Sequence, residues 1–537
     1  MKLNKIYLTL AAGLAFTACS DIDEIVPQSD RMLESQVKET NTIVPSRAEA
    51  SFTGMFTSIG KPYAANYETP DDFAFLVMAF CNDLEGADAL MPDSGYNWFS
   101  VCGEYSSRNA NYRNPYIRYR TPYKLIADVN TFVSGFPEDV SDENSIRLIA
   151  QARALRAFAY MQLVPAFQFV TNLDGPAVPL VTPETEDFTH NPRAAVRDIY
   201  TLVIEDLNYA VEKLEGFKRS SKMYIDQTVA YGLRARANLD LGNYDDAAAD
   251  AARVIAQYTP ASIAEVSKPS FMSIDEHNWV WGYDMTAALT LKKTDATPSS
   301  WLRSFSGDSY SAACQCYVSI NKLLWNKIPA TDIRKQWWVD EGLHSTLIEG
   351  LTWKGKGDIA NLTLNNEKEP FLPYTNVKFG CLTIGTTTND EDFPLMRVEE
   401  MILVRAEGLA KSGKEAEAAQ LLSDFVTTYR DPQYSVNGRG LSLADEIWFQ
   451  RRVELWGEGF GIYDIKRLGK PLVRFHGTPE STNFAPAFRF NMAADDGWLL
   501  MRFPQTELDT NFSIEDNNNG SLPVMDQNPT LRDGVTD

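Results

Sequence analysis

Arg234-Ala235-Arg236-Ala237-Asn238-Leu239-Asp240-Leu241-Gly242-Asn243-Tyr244-Asp245-Asp246-Ala247 is the stretch on which the fold turns. It reads as a helix ending at Leu241, a chain reversal at Gly242 and a second helix opening at Asn243-Tyr244-Asp245-Asp246. Small Ala side chains let two helices approach closely, and Gly takes the reversal without a Cβ penalty. The pattern returns once: Ala235, Gly242 and Ala247 align with Ala406, Gly413 and Ala418, with Arg405 to Ser412 as the first helix and Lys414-Glu415 opening the second. The two copies lie 171 residues apart, which implies helix pairs dispersed through the fold and not a tandem array.

Helical spacing extends well beyond these copies. Val196, Ile199, Tyr200, Val203, Leu207, Ala210, Val211 and Leu214 recur every three or four residues and form one apolar face. Residues 146–169 behave likewise through Ile149, Leu155, Phe158 and Leu163, before a turn at Gly175-Pro176. The fold class is therefore mainly α, a single domain of tetratricopeptide-like helix pairs over 51–537. Between 259 and 395 the periodicity weakens, and seven of the eleven Trp fall here: Trp279, Trp281, Trp301, Trp325, Trp337, Trp338 and Trp353. Asn278-Trp279-Val280-Trp281 alternates as a short strand does, with its Trp side chains expected in the core. A loop-rich, partly β insertion is expected over 259–395, and its Trp content points to where specificity lies.

Composition narrows the function classes. The 537-residue chain has 50 Lys plus Arg against 72 Asp plus Glu, a net charge of −22 that argues against a nucleic-acid partner. Four scattered His leave little for a metal site, and no cofactor motif is present: there is no G-x-S-x-G, H-E-x-x-H or P-loop. Cys314-Gln315-Cys316 has no second Cys or His pair nearby in sequence, so buried free thiols are expected. Composition and motifs favour a binder over an enzyme.

The start of the chain speaks of export. Lys2 and Lys5 precede an apolar stretch from Ile6 to Phe16, too short to span a bilayer but of the length of a secretory signal. Leu14-Ala15-Phe16-Thr17-Ala18-Cys19 resembles a bacterial lipobox, which makes residues 1–18 a lipoprotein signal peptide and Cys19 the acylated residue. Acyl chains on Cys19 would anchor the protein to the outer membrane. The acidic run Ser20-Asp21-Ile22-Asp23-Glu24 resembles the tag that directs such lipoproteins to the cell exterior, and 19–50 reads as a polar, lipidated tether.

Several segments, in order, resemble the SusD/RagB family. They are Arg153-Ala154-Leu155-Arg156-Ala157-Phe158-Ala159-Tyr160 with Gly175-Pro176, Asp332-Ile333-Arg334, Arg397-Val398-Glu399-Glu400-Met401 with Arg405-Ala406-Glu407, Arg451-Arg452-Val453-Glu454-Leu455 with Glu458-Gly459 and Asp464-Ile465-Lys466-Arg467, and Phe503-Pro504 with Glu507 and Asn511. Gln450 stands where Glu is common in the family, and Gly461 where Arg is common. Arg and Glu alternating with apolar residues over 450–467 fit a buried charged network. The resemblance implies a non-catalytic surface lipoprotein that captures oligosaccharide or polysaccharide nutrients. It would deliver them to a SusC-like TonB-dependent transporter. The alternatives are a peptide-binding, RagB-like component of the same kind of complex, or a helix-pair interaction scaffold.

A sugar ring is held well by an aromatic platform flanked by polar groups. Two loops have that composition, Asp93-Ser94-Gly95-Tyr96-Asn97-Trp98 and Trp301-Leu302-Arg303-Ser304-Phe305 with Ser306-Gly307-Asp308. Trp98, Tyr96 and Trp301 are the candidate platforms, with Asn97, Arg303 and Asp308 as polar contacts. A second cluster interleaves Arg108, Arg113, Arg118, Arg120 and Lys124 with Tyr112, Tyr116, Tyr119 and Tyr123. It is expected to open a packed helix running through Ile126, Val129 and Phe132, with an anionic-glycan surface as the lesser alternative.

Overall fold

The computed structural model describes residues 45–91, 98–286, 297–305, 317–351, 371–384, 388–517 and 520–537. Cys19, Tyr96, Asn97, Asp308, Cys314, Cys316 and Trp353 lie outside the described residues, as do the signal segment and most of the tether. The first helix, α1 (Pro45–Thr57), begins before the tether's expected end at residue 50. Its Ala48, Phe52, Met55 and Phe56 are buried, and burial of that apolar face draws the helix back into a segment that reads as polar.

The scaffold continues through α2 (Ala74–Leu84), the short α3 (Ser100–Gly103), α4 (Arg113–Ser134), α5 (Glu143–Phe167) and α6 (Val196–Lys213). Then come α7 (Gln227–Leu241) and α8 (Tyr244–Ile255), followed much later by α9 (Val398–Lys411), α10 (Glu415–Tyr429), α11 (Leu443–Glu454) and α12 (Gly461–Arg467). Side-chain caps open several of these helices. Asp142 accepts from the Ser145 N–H at α5, and Asp226 accepts from the Val229 N–H at α7. Gly242 (φ +76°) and Gly413 (φ +82°) close the first helix of each repeat copy in the left-handed region, where a Cβ is strained.

Each helix from α4 to α10 packs on the next, and α8 packs directly on α9. The two repeat copies are thus neighbours in space, which corrects the expectation of dispersed pairs. Gly408 explains the contact: a Cβ there would meet the Tyr244 carbonyl oxygen at 2.7 Å and the Ala248 Cβ at 3.1 Å. The Lys414 Nζ lies 2.8 Å from Asp245 Oδ1 and links the two turns.

Among the described residues six short strands pair as three antiparallel ribbons: β1 (Ala89–Leu90) with β5 (Ser319–Ile320), β2 (Pro176–Pro179) with β3 (Arg193–Ala195), and β4 (Trp279–Tyr283) with β6 (Phe393–Arg397). The strand read at Asn278–Trp281 is thus β4, buried along its whole length, with Trp279 opposite Arg397. One hydrophobic core runs from Ala48 to Val535 and includes Trp279, Trp281, Trp301, Trp337 and Trp338, all fully buried. The tryptophan-rich region therefore supplies core packing, and these five rings cannot carry specificity at the surface.

Charge inside this core is organised by Glu454. Its carboxylate accepts from Arg430 Nε and Nη2 at 2.8 Å, from Arg334 Nη1 at 3.2 Å and from Arg397 Nη1 at 3.2 Å. Burial alone would raise this carboxyl, but Arg430, Arg397 and Arg334 hold it well below the usual range. Asp332 and Arg334 of the D-x-R form a two-pronged pair, and Arg334 also donates to Gln450 Oε1 at 2.6 Å. Gln450 thus keeps the acceptor a Glu would offer, while its Nε2 donates to Glu446 at 2.9 Å. At Gly461 a Cβ would stand 3.1 Å from the Asp83 Cα, so the backbone of α2 occupies the space an Arg would need.

Candidate functional site

Trp98 is placed by three elements. β1 pairs with β5 just upstream, α3 follows directly, and α4 opens at Arg113 beneath the indole. α2, α3 and the start of α4 enclose a cavity of about 210 Å³ on which Trp98, Asp71, Tyr112, Arg113 and Asn114 converge. Trp98 is half-buried, with one part of its ring against the core and one part facing outward. Tyr112 at the rim is 47% exposed.

The Arg113 guanidinium carbon lies 4.3 Å from the centroid of the Trp98 ring and 5.7 Å from that of Tyr67. Its Nε is 2.9 Å from Asp71 Oδ2. A guanidinium over an indole contributes about 0.5–1 kcal/mol at an exposed site. Here its larger effect is geometric, because the ion pair with Asp71 holds the guanidinium in place over the ring. Burial raises the Asp71 carboxyl above its usual range, and neighbouring Arg113 only partly offsets this. The result is an aromatic plane, a fixed hydrogen-bond donor and a carboxylate around one opening, which suits a ligand with an apolar face and a polar rim.

Most of the basic cluster serves the fold. Arg108 and Arg118 are buried and donate to the Glu85 carboxylate at 2.9 and 3.0 Å. Burial would raise that carboxyl, but Arg118 and Arg108 hold it below its usual range. Lys124 pairs with Asp128 one turn along, and Arg120 donates to the Tyr116 hydroxyl at 2.5 Å. The packed-helix reading of this cluster matches the structure, with the exception that Arg113 lies over Trp98. Its place on a basic helix concealed that role, since nothing local links it to a Trp fifteen residues earlier.

Two other nominated residues stand elsewhere. Trp301 is fully buried on the segment Pro298–Leu302, with its ring centroid 4.7 Å from that of Phe80 and 5.3 Å from that of Phe99. Arg303 is also buried, donating to the Gly380 carbonyl at 2.6 Å and the Asp392 carbonyl at 2.8 Å. The expected platform at Trp301 and polar contact at Arg303 are therefore corrected to core packing and backbone bracing. The loop composition was compatible with either role, and only packing against α2 decides between them.

A larger cavity of about 760 Å³ opens between the end of α5 and the chain's C-terminal segment. Asp495, Glu515 and Asp516 form an exposed acidic rim, Arg193 lines the wall, and no Trp or Tyr contributes. Among the described residues, no three His, Cys, Asp or Glu side chains converge as a metal-holding group.

The fold is mainly helical, and Trp98, Tyr112 and Arg113 meet around one cavity of it. Residues 345–530 match the family model described as the SusD family, and residues 45–239 match one described as starch-binding associating with outer membrane. The chain belongs to the SusD/RagB family. Solved structures agree in fold. A SusD-like carbohydrate binding protein from Bacteroides vulgatus is 21% identical with a TM-score of 0.70, over 89% of this chain and 98% of that one. A SusD superfamily protein from Bacteroides thetaiotaomicron is 20% identical with a TM-score of 0.68, over 88% and 99%. A laminarin binding SusD-like protein is 18% identical with a TM-score of 0.60, over 88% and 98%. No curated protein matches the sequence.

Proposed function

We propose that this protein is a cell-surface lipoprotein that captures oligosaccharide or polysaccharide at the Trp98 cavity. It passes that cargo to a SusC-like TonB-dependent transporter in the outer membrane. The observation that carries the reading is the half-buried Trp98 with Arg113 held against it by Asp71. A pyranose stacks its apolar face on an aromatic ring while its hydroxyls reach fixed polar groups, and this site offers both within one opening. Family membership supports the same reading, as do the relatives described as carbohydrate binding and laminarin binding. The lipobox-like Cys19 supports anchoring to the outer membrane, with residues 1–18 removed and the helical body carried on a tether.

The test is direct. The protein is purified from outer membranes with its partners, and bound cargo is identified by mass spectrometry. Co-purification of a TonB-dependent transporter together with glycan is the expected result. Peptide in place of glycan would move the cargo to the RagB-like alternative, and absence of any transporter would sink the uptake reading. Laminarin, taken from the structural relative, is the first probe for affinity measurement with the purified protein.

A further inference from the structure

Two buried thiols meet directly beneath the Trp98 site. Cys81 on α2 and Cys102 on α3 place their sulfur atoms 3.5 Å apart, and each residue is only 4% exposed. Both line the Trp98 cavity, and Cys102 follows Trp98 by four residues. The third described thiol, Cys381, is buried separately, and among the described residues it has no such partner sulfur. Beside the pair, Asn114 Nδ2 lies 3.7 Å from Cys102 Sγ, the Arg118 guanidinium is committed to Glu85 and Asn114, and among the described residues no group of three His, Cys, Asp or Glu converges to hold a metal. Two sulfurs in van der Waals contact need to close by about 1.5 Å to bond.

We propose that Cys81 and Cys102 are joined as a disulfide in the exported protein, clamping the segment that carries Trp98 to α2. Each thiol gives up its proton, one S–S bond forms, and the two electrons reduce the disulfide of an exported thiol oxidant to its dithiol. Exchange proceeds through a mixed disulfide with that oxidant. Since the folded core hides both sulfurs, the reaction takes place before α2, α3 and α4 close over them. Once folded, the same burial shields the bond from reductants. The short separation of the two Cys in sequence brings them together early. The oxidising envelope that the lipobox-like start implies is where such a bond persists.

The experiment uses the full-length protein from its native membranes. Cells are lysed into denaturant with a maleimide, so that every free thiol is capped whether buried or not. Trypsin then leaves both residues on the single peptide 48–108, because Lys61 precedes Pro62 and no Lys or Arg lies between residues 82 and 101. The expected peptide carries no maleimide, has the mass of the dithiol less two hydrogens, and takes up two caps only after reduction. Cleavage of that peptide at Asp and Glu should then leave the Cys81-bearing and Cys102-bearing fragments joined until reductant is added. Two maleimides on most of the unreduced peptide would overturn the proposal. As a second readout, wild-type protein denatured and refolded in reductant should melt below the same protein refolded without it, while the Cys81→Ala/Cys102→Ala double variant should melt alike after both treatments. An equal effect on both proteins would also overturn it.

Discussion

The Arg113 guanidinium lies over the Trp98 ring at 4.3 Å, and Asp71 fixes it there through a 2.9 Å ion pair. The relationship joins a loop residue to the first turn of a helix and fixes a charged donor beside the indole at the cavity. Removing Trp98 should therefore damage recognition more than folding. Trp98→Ala is expected to lower affinity for the glycan found with the purified protein about tenfold or more, in keeping with the ~1.5–3 kcal/mol of a buried aromatic contact. Trp301→Ala should do the reverse, losing about 3–5 kcal/mol of stability as a core ring is deleted. Titration calorimetry and thermal unfolding on both variants separate the two roles. Equal affinity for Trp98→Ala and wild type would remove this cavity from consideration.

The contact between α8 and α9 rests on Gly408. Gly408→Val should cost about 1–3 kcal/mol through overpacking against the Tyr244 carbonyl and Ala248. Gly413→Ala is the comparison, since nothing lies within 4 Å of its Cβ position and only its positive φ is strained. That variant should lose about 1–2 kcal/mol. Denaturant unfolding of the two proteins measures both values.

Glu454 is the anion under three guanidiniums from three separate segments. Glu454→Gln leaves Arg334, Arg397 and Arg430 buried with less counter-charge, and the expected loss is about 3–5 kcal/mol. Expression of a stable, soluble Glu454→Gln protein with an unchanged Tm would contradict this account of the core.

Asp83 gives a pH signature. It accepts from the Gly459 and Gly461 N–H groups at 2.8 Å, yet burial pushes its carboxyl up to about 7. Between its unfolded value near 4 and that folded value, the native state holds a proton that the unfolded chain has released. Asp83 therefore favours folding at low pH, and this contribution is lost as pH rises through about 7. Asp83→Asn keeps a neutral acceptor for one of the two N–H groups. Its Tm relative to wild type should rise between pH 4.5 and pH 8, and a constant difference would count against a proton on Asp83.

Much of the scaffold could be read from local pattern. The apolar spacing over 196–214 became α6, the Gly242 and Gly413 reversals became left-handed caps, and Asn278–Trp281 became β4. Each depends on residues close together in the chain, where period and backbone preference act without distant help. The charged block over 450–467 was legible as a buried network for the same reason, although its partners Arg334, Arg397 and Arg430 come from elsewhere.

The site divides along the same line. Amino-acid order alone marked Trp98 as a ring in a polar, glycine-containing loop and placed the chain in its family, because family motifs are local strings. It could not distinguish Trp98 from Trp301, two aromatic loop residues of like composition. Tertiary packing made that choice: Phe80 and Phe99 close over Trp301, while Arg113 arrives from α4 beside a Trp98 that stays only partly buried. Packing likewise brought two repeat copies 171 residues apart into contact, and set Cys81 against Cys102. Burial is a property of what surrounds a residue, and those surroundings are assembled from segments that are distant in the chain.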